Sequence, residues 1–368
     1  MIASDKFKGS LSAAEVCRSI ASGFLQFDHS IRVVELPLAD GGDGTLDVLK
    51  GHQHFTAQLC DTIDPLGRSI KAVFLSSGNT AFVELAEASG IQHLVSNELD
   101  ILHATTVGTG KVIFEAVQSG HTEIVLSIGG SCTNDLGIGV LGALGFQFLD
   151  KNEVGLDPNG ANLLEITDII EPESLAPFKL RILCDVENLL YGSNGAAVVY
   201  GPQKGATPSE IDYLEKASKH FSSLVKKKFE KDISTLEGGG AAGGIAAGLF
   251  GLLDNVVIEK GFDYIAKKLE LKSKISQADY IITGEGKFDA QSLQGKVVGK
   301  LIELCQELKT PISVVAGIVE LSEVETEKLG LKECKALSEM ADSFEDSKEN
   351  ASKYLNELGY RLAKQMFL

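Results

Sequence analysis

No stretch of this chain stays apolar for the ~18 residues that a membrane-spanning helix requires, and no C-x-x-C pair occurs. Positive charge is scarce as well: 34 Lys and Arg stand against 51 Asp and Glu, for a net charge of −17. Each scarcity excludes something. Without a long apolar run no membrane span is expected, and nothing at the start reads as a signal peptide. Without a basic stripe a nucleic-acid partner is not expected. The longest basic run, Lys226-Lys227-Lys228, falls late in an apparent helix, where it suits the negative end of the dipole. The six cysteines (17, 60, 132, 184, 305 and 334) are scattered, which matches neither a zinc site nor a disulfide framework. Reduced, buried thiols and a cytoplasmic location are the simple expectation.

Familiar catalytic signatures are also missing. There is no H-E-x-x-H, no G-x-S-x-G and no complete P-loop, since Gly110-Lys111 has Thr105 in place of the first glycine and Val112 after it. G-x-G-x-x-G occurs twice, at Gly137/Gly139/Gly142 and Gly238/Gly240/Gly243. Neither passes from a clear strand into a helix with a ribose-binding acid placed ~20 residues on, so packing glycines are the plainer reading. His52-x-His54 lies in a polar loop and reads as solvated.

What is present is a recurrent pattern. Apolar runs rich in Val and Ile end in small residues and, in four of five cases, acid. IRVVELPLA (31–39) runs into Asp40-Gly41-Gly42-Asp43-Gly44, and EIVLSI (123–128) into Gly129-Gly130-Ser131-Cys132-Thr133-Asn134-Asp135. RILC (181–184) meets Asp185, and DYIIT (279–283) meets Gly284-Glu285-Gly286-Lys287-Phe288-Asp289. ISVVA (312–316) ends at Gly317 without an acid. Such runs predict buried parallel strands, whose carboxyl ends carry the ligand sites of open α/β sheets. Glycine lets backbone N–H groups approach phosphate, and carboxylates hold magnesium or take a proton. The pattern suggests an enzyme handling a phosphorylated nucleotide.

At 368 residues about two domains are expected. Residues 58–100 change character, with short alternating runs around an Asp64-Pro65-Leu66-Gly67 turn, which predicts antiparallel strands. Spacing typical of a βαβ unit returns at 279–316. No linker separates these regions. The expectation is therefore α/β with two domains: a Rossmann-like one with a parallel sheet from residues 1–60 and 245–368, and an inserted mixed α/β domain at 61–244. A cleft between them, lined by Asp40, Asp43, Asp185, Glu285 and Asp289, is the expected site. Ser12-x-x-Glu15 predicts a capped first helix and Thr207-Pro208-x-Glu210 a second. Asp5, Lys6 and Lys8 immediately precede that first capped helix and should be held near the sheet edge. Around 284–296, acids and lysines on a strand–loop–helix would favour phosphate at Gly284, Glu285, Gly286, Lys287 and Lys296, although an ordinary βα turn reads the same way.

The ordered segments SDKFKGSLSAAEV, LADGGDGT, DPLGR, TTVGTGK, IGGSCTNDLGIG, CDVENLLYGSNGAA, YGPQKGA, GGGAAGGIAAGL and ITGEGKFDAQSLQGK together resemble the bacterial glycerate kinase family. The resemblance covers about residues 2–320. It implies ATP-dependent phosphorylation of D-glycerate with Mg²⁺ in two α/β domains, one built from both chain ends. Two departures stand out. Family members commonly open with two or three more apolar residues, and many carry glycine where this chain has Leu136, after the Asn134-Asp135 pair. The chemistry of phosphoryl transfer calls for an orienting acid, cations for phosphates, carboxylates for Mg²⁺ and a clamp for the glycerate carboxylate. The candidates are Asp185, Lys8, Asp5 and Asp289 for catalysis, with Asp185 and Glu285 for the metal. Asp40, Asp43, Asn134, Asp135 and Lys204 are candidates for the substrate. A homodimer is left open. A nucleotide-dependent oxidoreductase and a non-catalytic sugar-acid sensor are the alternatives, needing respectively one true dinucleotide fingerprint and a partner-binding surface.

Overall fold

The computed structural model describes residues 1–52, 54–293 and 295–368. It divides into two compact units, Gly41–Lys260 and a discontinuous one formed by Met1–Asp40 with Gly261–Leu368.

The Gly41–Lys260 unit contains β1 (Thr56–Ile63), β2 (Ser69–Ser77), β3 (Thr80–Glu84), β4 (Glu123–Ser127), β5 (Gln147–Leu149), β6 (Asp168–Ile170), β7 (Lys179–Leu183) and β8 (Val256–Glu259). Its main sheet has the order β1-β2-β3-β4-β7-β8, and β5 and β6 form a separate antiparallel pair. The sheet is antiparallel from β1 to β3 and parallel from β3 onward. Strand β3 is therefore the switch. All five of its residues are buried, as expected for a central strand covered on both faces. The helices Val107–Gln118, Ile138–Ala143, Pro208–Phe229 and Ala241–Leu252 are the principal cover. Their apolar residues share a core with Phe74, Val83, Ile124, Leu126 and Ile182 of the strands. Arg181 of β7 bridges Glu123 of β4 (2.9 Å) and Glu259 of β8, linking three neighbouring strands.

Two boundaries of this unit have clear causes. Residue 60, the expected boundary, falls inside β1, whose ladder to β2 ties all of Thr56–Ile63 to the following strand. Past residue 244, β8 pairs parallel with β7, which holds Val256–Glu259 in the same sheet.

The discontinuous unit is built on β9 (Ile281–Phe288), β10 (Ile312–Val319) and β11 (Cys334–Ala336), all parallel, in the order β11-β10-β9. The N-terminal segment continues this sheet. Ala3 N–H donates to Ile282 O (2.7 Å) and Asp5 N–H to Gly284 O (3.0 Å). On its far side Ile2 N–H donates to Val34 O, Leu36 N–H to Ile2 O and Leu38 N–H to Ser4 O, each at 2.8–2.9 Å. The expected strand at 31–37 is thus present as a ladder, although only Glu35 makes a formal bridge. Pro37 fits there because the odd-numbered positions point their nitrogens away from the neighbouring strand.

Ser12 caps the helix Ala13–Phe27 in a full capping box with Glu15. That helix packs against Ala351–Phe367, together with Ile2, Ile282 and Val315 of the sheet. The backbones touch: a Cβ on Gly23 would lie 2.1 Å from Asn356 O, and one on Gly359 2.4 Å from Ile20 O. The C-terminal segment forms two helices, Phe344–Glu349 and Ala351–Phe367. No helix among the described residues is long and apolar enough to cross a membrane.

Candidate active site

In the discontinuous unit the acids gather on neighbouring parallel rows of the sheet. Ser4 Oγ donates to Gly284 O (2.9 Å), which fastens the N-terminal segment beside β9. Gly284 must be glycine, because a Cβ would sit 2.2 Å from Val315 O on β10. Asp5 follows Ser4 on the N-terminal row, and Glu285 follows Gly284 within β9, which stays paired to β10 as far as Phe288. The Asp5 carboxyl is pushed up to about 7 by burial first, then by Asp40 and Glu285, against the opposing pull of Lys6. Glu285 is also raised to about 7 by burial, with Asp289 and Asp40 adding to it and Ser292 and Lys296 opposing. Its Oε1 is buried with no hydrogen-bond partner, as is Thr283 Oγ1 two residues earlier. Burial and neighbouring carboxylates therefore raise the proton affinity of Asp5 and Glu285 in a setting that lacks enough positive charge.

The expected phosphate-side residues lie just beyond. Lys287 is half exposed and spans Glu320 (2.9 Å) and Asp289 (3.3 Å). Asp289 accepts from the Gln291 (2.8 Å) and Ser292 (3.2 Å) backbone N–H groups; together with the Lys287 ammonium these outweigh burial and hold its carboxyl below the usual range. Lys296 stands at the N-terminus of the helix Val297–Leu308, which has no side-chain cap. Gly286 leaves room for the turn at residues 7–11: its absent Cβ would lie 3.3 Å from Lys8 N. Lys8 itself is exposed on that turn.

The Gly41–Lys260 unit holds a second polar centre, formed by the loop after β4. Lys204 is fully buried, and its Nζ donates to Ser131 Oγ and Thr133 O, both at 2.7 Å. Burial lowers its pKa to about 8, partly offset by Cys132 and Asp135. Asp135, also fully buried, accepts from Thr106 N (2.8 Å), Thr106 Oγ1 (2.7 Å), Gly137 N (3.1 Å) and Gly139 N (3.3 Å). Burial nevertheless outweighs these bonds and raises its pKa. Between them sit Thr133 Oγ1 and both amide atoms of Asn134, buried and without hydrogen-bond partners. Unpaired buried polar atoms are rare and call for an explanation. Leu136, the position where glycine would be the easier residue, takes a left-handed conformation with φ 53°. The turn is kept at the expense of local strain.

The glycines of both G-x-G-x-x-G runs are packing residues. Gly139 abuts the backbone of residues 106–107, and a Cβ on Gly243 would lie 2.0 Å from Thr133 O.

Asp43 sits in the turn before the short helix Thr45–Lys50. Gly129 at the end of the β4 run meets this turn, since a Cβ there would lie 2.5 Å from Asp43 N. Asp185 follows β7, beside Lys260, whose pKa is raised by Glu187 and Asp185 against the effect of burial. Asp185 and Glu285, expected together at a metal, belong to different units. Among the described residues no group of three or more His, Cys, Asp or Glu is arranged as a metal site. Glu84, Ser131 and Thr133 were not among the sequence candidates. Glu84 ends a run, TAFVE, that follows the same pattern as the others but was read as part of the antiparallel region.

The chain matches the model of the glycerate kinase family over residues 1–367. The chain belongs to the glycerate kinase family. A glycerate kinase of Haemophilus influenzae is 38% identical over 323 residues, covering 86% of this chain and 85% of that protein. The glycerate 2-kinase of Escherichia coli is 36% identical, covering 86% and 84%. A crystal structure from Salmonella typhimurium LT2, described as a glycerate kinase 2, superposes with a TM-score of 0.83 at 32% identity, covering 99% of this chain and 97% of that one. The chain is accordingly a kinase of mixed α/β fold with mostly parallel sheets. The oxidoreductase and sensor readings are set aside on the same finding.

Proposed function

We propose that this glycerate kinase family member transfers the γ-phosphoryl group of Mg·ATP to a hydroxyl of D-glycerate in the cytoplasm. The observation that carries the reading is Glu285. It is a carboxylate on a parallel strand, with one oxygen buried and unpartnered, beside Asp5 and Asp40. A cation there satisfies what the protein alone does not. Mg²⁺ usually takes one or two protein carboxylates and completes its shell with phosphate oxygens and water. The donor set suits that habit, and the lack of a larger ligand cluster among the described residues does not oppose it. When bound, the ion would neutralise charge on the phosphates.

The chain's own residues then divide by chemistry. Glu285 and Asp5 are the acids for the cation, and Asp40 adds to their field. Lys287 and Lys296 supply positive charge for phosphate near Gly284 and Gly286, with Asp289 anchoring the turn that carries them. Lys204, the Asn134 amide and Asp135 form a buried polar centre suited to a small hydroxy acid, and Asp43 lies on the adjoining turn. Asp185, held at a rigid strand end, is our choice to orient the accepting hydroxyl. Lys8 is a candidate to hold a carboxylate or phosphate. Positioning and charge neutralisation are what phosphoryl transfer mainly requires. The test is to incubate the protein with ATP, Mg²⁺ and D-glycerate and identify the product by NMR. A phosphoglycerate supports the reading and also shows which hydroxyl reacts; unchanged glycerate rejects it.

A further inference from the structure

The turn that carries Asp43 has no cap of its own. Gly44 occupies the N-cap position of the helix Thr45–Lys50, with φ 89° and no side chain to receive the first backbone N–H groups. Those donors are met from elsewhere. Glu84, the last residue of β3, accepts from Gly44 N (2.7 Å, through Oε1) and Leu46 N (3.1 Å, through Oε2). Its side chain is 5% exposed, so both bonds form away from water. The support beneath it is rigid. Glu84 pairs in register with Ser127 of β4, and Leu85 N–H donates to Ser127 O (2.8 Å). Two and three residues past Ser127, Gly129 and Gly130 press on the same turn; absent Cβ atoms there would lie 2.5 Å from Asp43 N and 3.2 Å from Asp43 Cβ. The turn is therefore gripped between the ends of β3 and β4, and only one of the two grips has a charged side chain.

We infer that Glu84 is a positioning residue of the active site, which fixes Asp43 by holding the two backbone N–H groups that flank Thr45. The inference rests on the proposed role of Asp43 toward the substrate. A simple structural cap would account for the hydrogen bonds, but it does not require a carboxylate. A buried carboxylate is a demanding way to cap six residues on grounds of stability alone, because burial opposes its charge. Burial, with Glu87 and Asp43 adding to it, raises the Glu84 pKa to about 7, against the pull of the two N–H donors. What a bidentate acceptor supplies is geometry: two bonds to two oxygens of one planar group set both the distance and the tilt of the turn.

The test compares Glu84→Gln, Asp43→Asn and the double variant in the full-length protein. Glutamine keeps the volume but turns an amide NH₂ toward one of the two donors. Loss of a hydrogen bond to a charged group predicts a fall in kcat/KM for D-glycerate of about 10- to 100-fold. The fall should lie in the glycerate terms, with KM for ATP within about twofold of the parent. Amide hydrogen exchange at Gly44 and Leu46 should quicken. In the double variant the two losses should not multiply, because both act through one group. Glu84→Asp, which keeps the charge, should recover part of the activity and takes over the test if Glu84→Gln does not fold. Near-parent kinetics in Glu84→Gln beside a crippled Asp43→Asn overturns the inference alone, as does full multiplication of the two losses. A silent Asp43→Asn contradicts the role of Asp43 itself.

Discussion

Replacing Glu285 by glutamine should make the nucleotide-free protein more stable and the enzyme far slower. The carboxyl is raised from an ordinary 4.5 to about 7, first by burial and then by Asp289 and Asp40. In full that rise corresponds to about 3 kcal/mol spent in keeping the group ionised in the folded state. Because the side chain is not wholly enclosed, about 1–2 kcal/mol is the more realistic gain. The sign follows from linkage. A carboxyl whose folded pKa is raised favours the fold fully below about 4.5, and that contribution is lost as pH climbs through about 7. Glutamine has no such loss. The melting temperature of Glu285→Gln should therefore exceed the parent's by several degrees at pH 8, at about 2–4 °C per kcal/mol, and by much less at pH 5. The assay is paired thermal melting in EDTA at the two pH values, with turnover measured alongside. Turnover should fall about 10²–10⁴-fold if Glu285 serves the reacting groups. A variant that melts lower than the parent at pH 8, or keeps full turnover, refutes the reasoning.

Gly243→Ala places a methyl 2.0 Å from Thr133 O in a backbone with φ 75°, so it should destabilise the protein by about 1–3 kcal/mol, read as a lower denaturation midpoint. Lys204→Met removes a buried ammonium and leaves Thr133 O and Ser131 Oγ without their donor. Stability should change by no more than about 1–3 kcal/mol, while kcat/KM for D-glycerate collapses; a variant with parent kinetics removes Lys204 from the substrate site. Asp185→Asn and Lys8→Ala should each cripple turnover while melting like the parent, and parent-like rates in both well-folded variants would exclude these residues from the mechanism.

The features legible in the sequence are those whose physics is local. The capping boxes of Ser12 with Glu15 and Thr207 with Glu210 form as their spacing requires, because both partners lie within one turn of helix. Apolar runs ending in glycine and acid mark the ends of β4 and β7, because a buried parallel strand needs continuous apolar residues and its loop needs small ones, whereas β9 runs on through Gly284 and Glu285 to Phe288. The resemblance to a family of kinases stood on ordered motifs of this kind. Long-range pairing was less visible. The TAFVE run looks like a continuation of the antiparallel stretch, yet β3 pairs antiparallel with β2 and parallel with β4. That switch brings Glu84 level with Ser127 and so to the Asp43 turn, which no spacing along the chain reveals. Lys204 lies more than 70 residues from the hydroxyl and carbonyl it bonds. As a lone lysine in YGPQKGA it gave no local sign of full burial. The 31–38 row shows the reverse case, since its pattern was readable but Pro37 and its edge position leave it only a sparse ladder.

The most direct test of the account is glycerate-dependent phosphoryl transfer in the parent enzyme. ADP release from ATP should be followed in four parallel reactions, with and without D-glycerate and with and without Mg²⁺. The account predicts rapid release only when both are present, with one phosphoglycerate formed for each ADP. ADP release that is indifferent to D-glycerate, or none at all, would contradict it.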